Sequence, residues 1–516
     1  INTGYNAPYT TEYIHVGEDT ADVVRVMGPL NFDLIITAGK LNKNLDGEDT
    51  VTIYSDLFLN GHQLDITSEN INIQPGVTVS TSDSSVAGDI NLTGFHINLG
   101  AGANLLADGS AISTSGDITI KAMDESALLT PLVDVDVSDV DVTISAGAEI
   151  SGRDVTILAS ADNRRLYADD GTLTGSALDM IGSVFEMLTT IGGAVSVVTG
   201  DASIDIADGS QITSQNFKAD ASVYADVKAV PLASFMISPS VGVAVTNAEV
   251  NVGGAITTTG NAEFRTHTDH SMNVVSDPSA MKGLAASIAV SVIVSDANTV
   301  IGDTAVLNVG GDLYVTADDV DRNRTMARSG AGKDGKLALA FGVTVEDGDT
   351  NAFLDGEAHV AGNISVKADQ LGIDLPISKL FVIPSLGIGT SAQAGIGSTS
   401  KGDLLDDAKT SATAPFVNPI VSVVTSFIPK IKTKITGKAA EYGPEPPADF
   451  NSKFDIAGAV AVLVDSNRAI ARIGVSPTYT TEDVDPVDIN PGDIVEFRAN
   501  RTEGGDLGAW YRYSGT

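Results

Sequence analysis

Cysteine is absent from the 516-residue chain, which excludes a disulfide framework, a thiolate zinc site and a cysteine nucleophile. Positive charge is scarce as well: 30 Lys and Arg face 67 Asp and Glu, for a formal net charge of −37. An acidic surface repels phosphates, and no basic stretch interleaved with aromatics appears, so nucleic acid is not an expected partner. Aromatic residues make up 5% of the chain, with a single Trp. That is too few for a string of immunoglobulin-like sandwiches with buried core tryptophans, or for the aromatic girdles of a membrane barrel. No unbroken apolar run approaches the ~18 residues of a membrane span. The opening residues from Ile1 lack the charged and apolar regions of a signal peptide, so the chain reads as a mature or excised portion of something longer.

What is present is core material. Hydrophobic residues reach 43%, charged residues only 19%, and there are 52 glycines. The interior must therefore be built from Val, Ile, Leu and Ala, a β-rich composition. Three segments superimpose: Ala107–Ala122, Ser145–Ala159 and Ala207–Ala219. Each reads as turn, short strand, turn, strand, with apolar residues at alternate positions such as Ile118 and Ile120, or Val155 and Ile157. A longer unit follows, in which Ala248–Ile256, Ala305–Leu313 and Ala358–Val366 resemble one another around Gly254, Gly311 and Gly362. The period is loose, at about fifty residues. Imperfect repeats with strand alternation and turn glycines predict an all-β fold, a parallel β-solenoid with short helical and loop insertions. At about 25–30 residues per rung, and rungs ~4.8 Å apart, a rod of roughly 80–100 Å is expected. The residues Ile118, Ile120, Val155, Ile157, Val306, Val309, Leu313 and Val315 are expected to point inward.

The organisation expected is N-terminal rungs or a cap over 1–84, short-period rungs over 85–175, and long-period rungs over 201–380. A final unit fills 451–516. Two segments interrupt the pattern. At 176–200, Leu178, Ile181, Val184, Phe185, Leu188 and Ile191 recur at helical spacing. At 381–450, apolar runs mix with prolines and with Lys430, Lys432, Lys434 and Lys438, which reads as a solvated lid over the solenoid, a docking surface or a membrane-touching hairpin.

The run Ile301-Gly302-Asp303-Thr304-Ala305-Val306-Leu307-Asn308-Val309-Gly310-Gly311-Asp312-Leu313-Tyr314-Val315-Thr316-Ala317, together with the two shorter Gly-Asp-Ile and Arg-Asp-Val rungs, resembles the repeat of filamentous-haemagglutinin-type adhesins. The leukotoxin-like filamentous adhesin group is included in that resemblance. The closing Trp510-Tyr511-Arg512-Tyr513-Ser514-Gly515 is similar to elements between their repeat blocks. The resemblance covers residues from about 85 to 515. It implies a right-handed parallel β-helix rod, secreted to the bacterial cell surface, and it carries no catalytic residues to transfer. Its implied partners are surface or matrix glycans and proteins, with self-association into filaments.

Chemistry-bearing motifs are few. No Gly-x-Ser-x-Gly elbow, phosphate loop or His-Glu-x-x-His is found, so no enzymatic activity is expected. The rival readings are a polysaccharide-processing β-helix enzyme, whose carboxylate pair only spatial separation could reveal, and a subunit of a self-assembling sheath. In His267-Thr268-Asp269-His270, a strand puts 267 and 269 on one face and 270 on the other, which makes a three-ligand metal site awkward. Calcium is the better-founded cofactor, since oxygen ligands on tight turns suit it. The candidates are Asp318, Asp319 and Asp321 in one presumed turn, and Asp347, Asp349 and Asn351 in another. Neither completes an EF-hand or nonapeptide calcium pattern.

Overall fold

The structure is a computed structural model that describes residues 11–16, 30–38, 49–124, 133–163, 193–229, 237–276, 284–331, 337–372, 389–396, 456–474, 479–480, 494–496 and 510–512. Three parallel sheets dominate it. One turn of the chain contributes one strand to each. In the coil that opens at residue 237, Ile237–Val252 joins the second sheet, Ala255–Thr258 the short third sheet, and Ala262–Ser276 the first. The next coil repeats this with Leu284–Ile301, Val306–Val309 and Leu313–Ala331, and the next with Leu337–Leu354, Glu357–Val360 and Ile364–Gly372. Equivalent residues stack in register, as Phe264 on Val315 and Val309 on Val360. The expected parallel β-solenoid is the fold.

Its proportions differ from expectation. Coils of about fifty residues use up the chain quickly. The first sheet, from Thr11–Val16 to Ile364–Gly372, is therefore only roughly 43 Å tall at ~4.8 Å per strand. The extra length goes sideways: strands of the first sheet grow from 4 residues at Leu64–Thr67 to 19 at Leu313–Ala331. Those of the second grow from 4 at Asn70–Ile73 to 18 at Leu284–Ile301. The long strands overrun the triangular prism and face each other as two arms.

Inside the prism lies one apolar column, including Ile118, Ile120, Val155, Ile157, Phe264, Leu307, Val309, Leu313 and Val315. Seven of the eight residues expected inward are buried there. Val306 is the exception: it is only half-buried, while its neighbour Leu307 is fully buried, stacked on Ile256 and beneath Ala358. Residues 306 and 309 are three apart, so on one strand they face opposite sides. Between the arms a second apolar cluster forms from Val198, Val227, Ala244, Met272, Val274, Ile293 and Ala327. The second sheet is apolar on its other face too, where Val195, Val243, Ile288, Val290 and Val345 cluster, as befits a parallel sheet covered on both sides.

The turn chemistry explains the repeat. Between second and third sheets, Gly76, Gly102, Gly147 and Gly209 adopt φ of +74°, +68°, +73° and +80°, a left-handed conformation that costs a side-chain-bearing residue about 1 kcal/mol or more. Between third and first sheets, an Asx residue accepts a hydrogen bond from the backbone N–H of its equivalent one coil later. Asn261 N–H donates to Asn216 Oδ1 (3.1 Å), Asp312 N–H to Asn261 Oδ1 (2.9 Å), and Asn363 N–H to Asp312 Oδ1 (2.7 Å). The preceding glycine makes room, because a Cβ on Gly260, Gly311 or Gly362 would sit 2.2–2.4 Å from that Oδ1. The recurring Gly-Asp/Asn is therefore a corner ladder. It also corrects the repeat alignment: Gly311 stacks on Gly260 and not on Gly254, and Gly362 stacks on Gly311. The two were confusable because both corners follow an apolar strand.

The helical reading of 176–200 falls mostly outside the described residues, but its end belongs to the strand Ala194–Ile206. Of the 381–450 segment, Gly389–Ile396 is a strand beside Arg324–Ala331; the lysine cluster lies outside the described residues. In the last unit, Ile456–Asp465 and Arg468–Ile473 stack on Leu337–Leu354. Tyr479–Thr480, Ile494–Glu496 and Trp510–Arg512 form a separate small sheet with one antiparallel pairing. Among the described residues no helix is long and apolar enough to cross a membrane.

Candidate functional site

The presumed calcium turns are not turns. Asp318, Asp319 and Asp321 lie mid-strand in Leu313–Ala331, and Asp347, Asp349 and Asn351 mid-strand in Leu337–Leu354. Continuous β-pairing with the neighbouring coils overrides the turn propensity of clustered Asp. The second group is engaged laterally: Ser466 Oγ donates to Asp347 Oδ1, Arg468 pairs with Asp349 at 3.2 Å, and the buried Asn351 donates from Nδ2 to Asn298 Oδ1 at 2.8 Å. Asp318, outward, pairs with Arg265 at 3.3 Å.

Asp319 and Asp321 differ, since they occupy the same inward phase as Leu313, Val315 and Ala317. They lie beside the apolar arm cluster within a buried polar belt. Register places Thr268 beneath Asp319 and His270 beneath Asp321. The strand parity assigned to His267 and His270 holds: His267 faces outward, its ring 5.4 Å from Tyr224, while His270 is 1% exposed inside. The residues that complete its surroundings come from the adjacent coil. His270 Nδ1 lies 3.0 Å from Asp321 Oδ1 and 3.5 Å from Asp319 Oδ1. Ligand atoms of the three side chains all lie within 4.8 Å of one another.

The belt extends to both sheets. His270 Nε2 bonds Thr246 Oγ1. Thr268 and Ser295 hydroxyls donate to Asp319 Oδ1 at 2.6 and 3.0 Å, and Gln370 Nε2 donates to its Oδ2 at 3.0 Å. Asn323 Nδ2 donates to Glu346 Oε1 at 2.9 Å. Burial alone would lower the His270 pKa, but the Asp319 and Asp321 carboxylates outweigh it and hold the imidazolium up to about 10. Burial pushes Glu346 up to about 8, with Asp321 and Asp465 adding to the effect, and burial likewise raises Asp321. Asp319 is held below the ordinary range, its burial cost outweighed by His270 and the two hydroxyls. Such an arrangement can hold a proton or a cation between imidazole and carboxylates. The sequence signal was a charge in the buried phase of an alternating strand, visible at 270, 319 and 321. Glu346, Thr246 and Asn323 show up only once the two sheets face each other.

The outer faces carry a different electrostatics. On the second sheet Asp139, Asp201, Asn247, Asp296 and Asp349 stack in one column, ending at Arg468. Burial raises Asp201, with Asp139 adding to it, and burial and Glu249 raise Asp205. A carboxyl with a raised folded pKa keeps its proton longer in the folded state, so stability increases as pH falls through the window just above the ordinary Asp range. Of the belt groups, His270, Asp321 and Glu346, all raised, act in the same direction, whereas Asp319, held low, acts oppositely and only at and below the ordinary Asp range. Thermal melts are therefore expected to shift upward from about pH 7 to about pH 5, and Asp201→Asn should flatten part of that rise. A downward shift over this window would contradict the assignment.

No protein-family model matches the chain, and no curated protein or solved structure matches it either.

Proposed function

We propose that the chain is a rod segment of a large bacterial surface or secreted filament, acting by contact, in adhesion or extracellular assembly, with no turnover of its own. The observation that carries this reading is the in-register stack of three sheets, filled inside with side chains, with an acidic column repeated coil after coil on the outer face of the second sheet. Repetition of that kind displays many equivalent weak sites, and avidity follows from their number. The similarity of the repeat to filamentous adhesins supports the same reading, although a solenoid alone fixes no function. Its partners are glycans or proteins of a cell surface or matrix. The stacked acids of the second sheet would gather Ca²⁺ as a screening cation, since like charges in one column repel.

The test is retention of cells or glycans on beads coated with the chain at rising density. Steeply density-dependent retention, with no product released from pectin or alginate, is the expected result. New reducing ends or unsaturated products, abolished by one carboxylate substitution, would instead make the chain a polysaccharide-processing enzyme. Filaments of the isolated chain in negative stain, without retention, would favour a self-assembling sheath.

A further inference from the structure

We infer that His270, Asp319 and Asp321 form a structural site for one divalent first-row transition ion, of the Zn²⁺ or Mn²⁺ class, clamped inside the arms of the solenoid. The inference does not depend on the adhesive reading.

Four observations converge. First, one imidazole nitrogen and two carboxylate oxygens meet within 4.8 Å, a donor set of mixed nitrogen and oxygen that Zn²⁺ and Mn²⁺ accept. Calcium, which prefers six to eight oxygens, suits it poorly. Second, all three side chains are 1–2% exposed, so this is not a solvated acidic patch of the kind found on the outer faces. Third, His270 Nδ1 and Asp321 Oδ1 have no aligned hydrogen-bond partner despite their 3.0 Å approach, and Glu346 Oε2 has none either. Buried polar atoms are ordinarily hydrogen-bonded, and an orphan costs about 1–3 kcal/mol. Three orphans in one belt call for something that accepts their lone pairs.

Fourth, the supporting hydrogen bonds are those a metal site needs. The other ring nitrogen of His270 is engaged by Thr246, which orients the ring with Nδ1 toward the two carboxylates. Asp319 is oriented by Thr268, Ser295 and Gln370, drawn from three different strands. Glu346, on the opposite sheet, belongs to the same belt, its Oε1 held by Asn323. An ion there would tie successive coils together where the belt separates two apolar clusters. Without one, a proton shared between imidazole and carboxylates is what remains to offset the buried charge.

The experiment uses the full chain, unfolded in guanidinium with a chelator, refolded metal-free, and titrated with Zn²⁺, Mn²⁺ and Ca²⁺ separately. Expected are one equivalent of tightly held Zn²⁺ or Mn²⁺ by elemental analysis, a rise in melting temperature on binding, and weaker binding of Ca²⁺. Asp321→Asn should weaken affinity at least about 100-fold, and Thr246→Val about 10-fold. X-ray absorption of the wild-type Zn²⁺ form should show one imidazole nitrogen in the coordination sphere, a readout that needs no variant to fold. The inference is overturned by any of three results: no transition ion taken up, an all-oxygen sphere, or tight uptake unchanged in both variants. The last would place the ion on the outer acidic column.

Discussion

Leu307→Asp should unfold the chain under conditions in which Val306→Asp does not. Leu307 is 0% exposed in the prism, packed between Ile256 and Ala358 of the adjoining coils. A carboxylate there would be a charge without water or counter-ion, costing at least about 4 kcal/mol, a large fraction of the stability of most domains. Val306 is half-buried on the outer face, beneath Glu357. An acid there meets solvent and one like charge, at about 1 kcal/mol. Denaturant midpoints of the two variants decide it. If they move equally, the register of the third sheet is off by one residue.

Phe264→Ala should cost about 3–5 kcal/mol. The ring is fully buried and lies 5.3 Å from that of Phe217, tilted by 47°, in a core made mostly of aliphatic side chains. Neighbouring coils are held at fixed spacing by their ladders and cannot collapse into the void, so the cavity persists. Phe264→Leu, which keeps most of the volume, should cost under about 1.5 kcal/mol. Equal effects of Ala and Leu in urea titration would mean that the coil relaxes around the site.

These two tests rest on the part of the fold that was most legible. Strand alternation places Ile118, Val155, Leu313 and Val315 correctly, because a period of two has only one answer once a face is buried. Turn glycines mark the corners but not which corner, so Gly254 resembles Gly311 although Gly260 is the structural equivalent of Gly311. The Asp clusters are ambiguous for a related reason. Locally, Asp318–Asn323 looks like a hydrophilic turn, whereas in the solenoid its odd positions enter a polar belt and its even positions pair across coils, as Asp318 with Arg265 and Arg322 with Asp269. On its own strand His270 has no inward acid beside it. In a solenoid the nearest neighbours of a side chain are one coil away, about fifty residues along the chain. No local pattern reports that distance, and the cluster became visible only with the register.

The steady lengthening of the strands has a consequence for cooperativity. In a stack where each coil touches only those above and below it, total stability is a sum of nearest-neighbour couplings. Those couplings scale with shared edge and so rise from the 4-residue strands at 64–73 to the 18- and 19-residue strands at 284–354. The molecule is thus a graded zipper. Its slender amino-terminal coils open and close as small units, while the broad coils, locked by two apolar clusters and a polar belt, separate only as one block. Tension along the axis would peel the thin end first, leaving the wide end as the anchor.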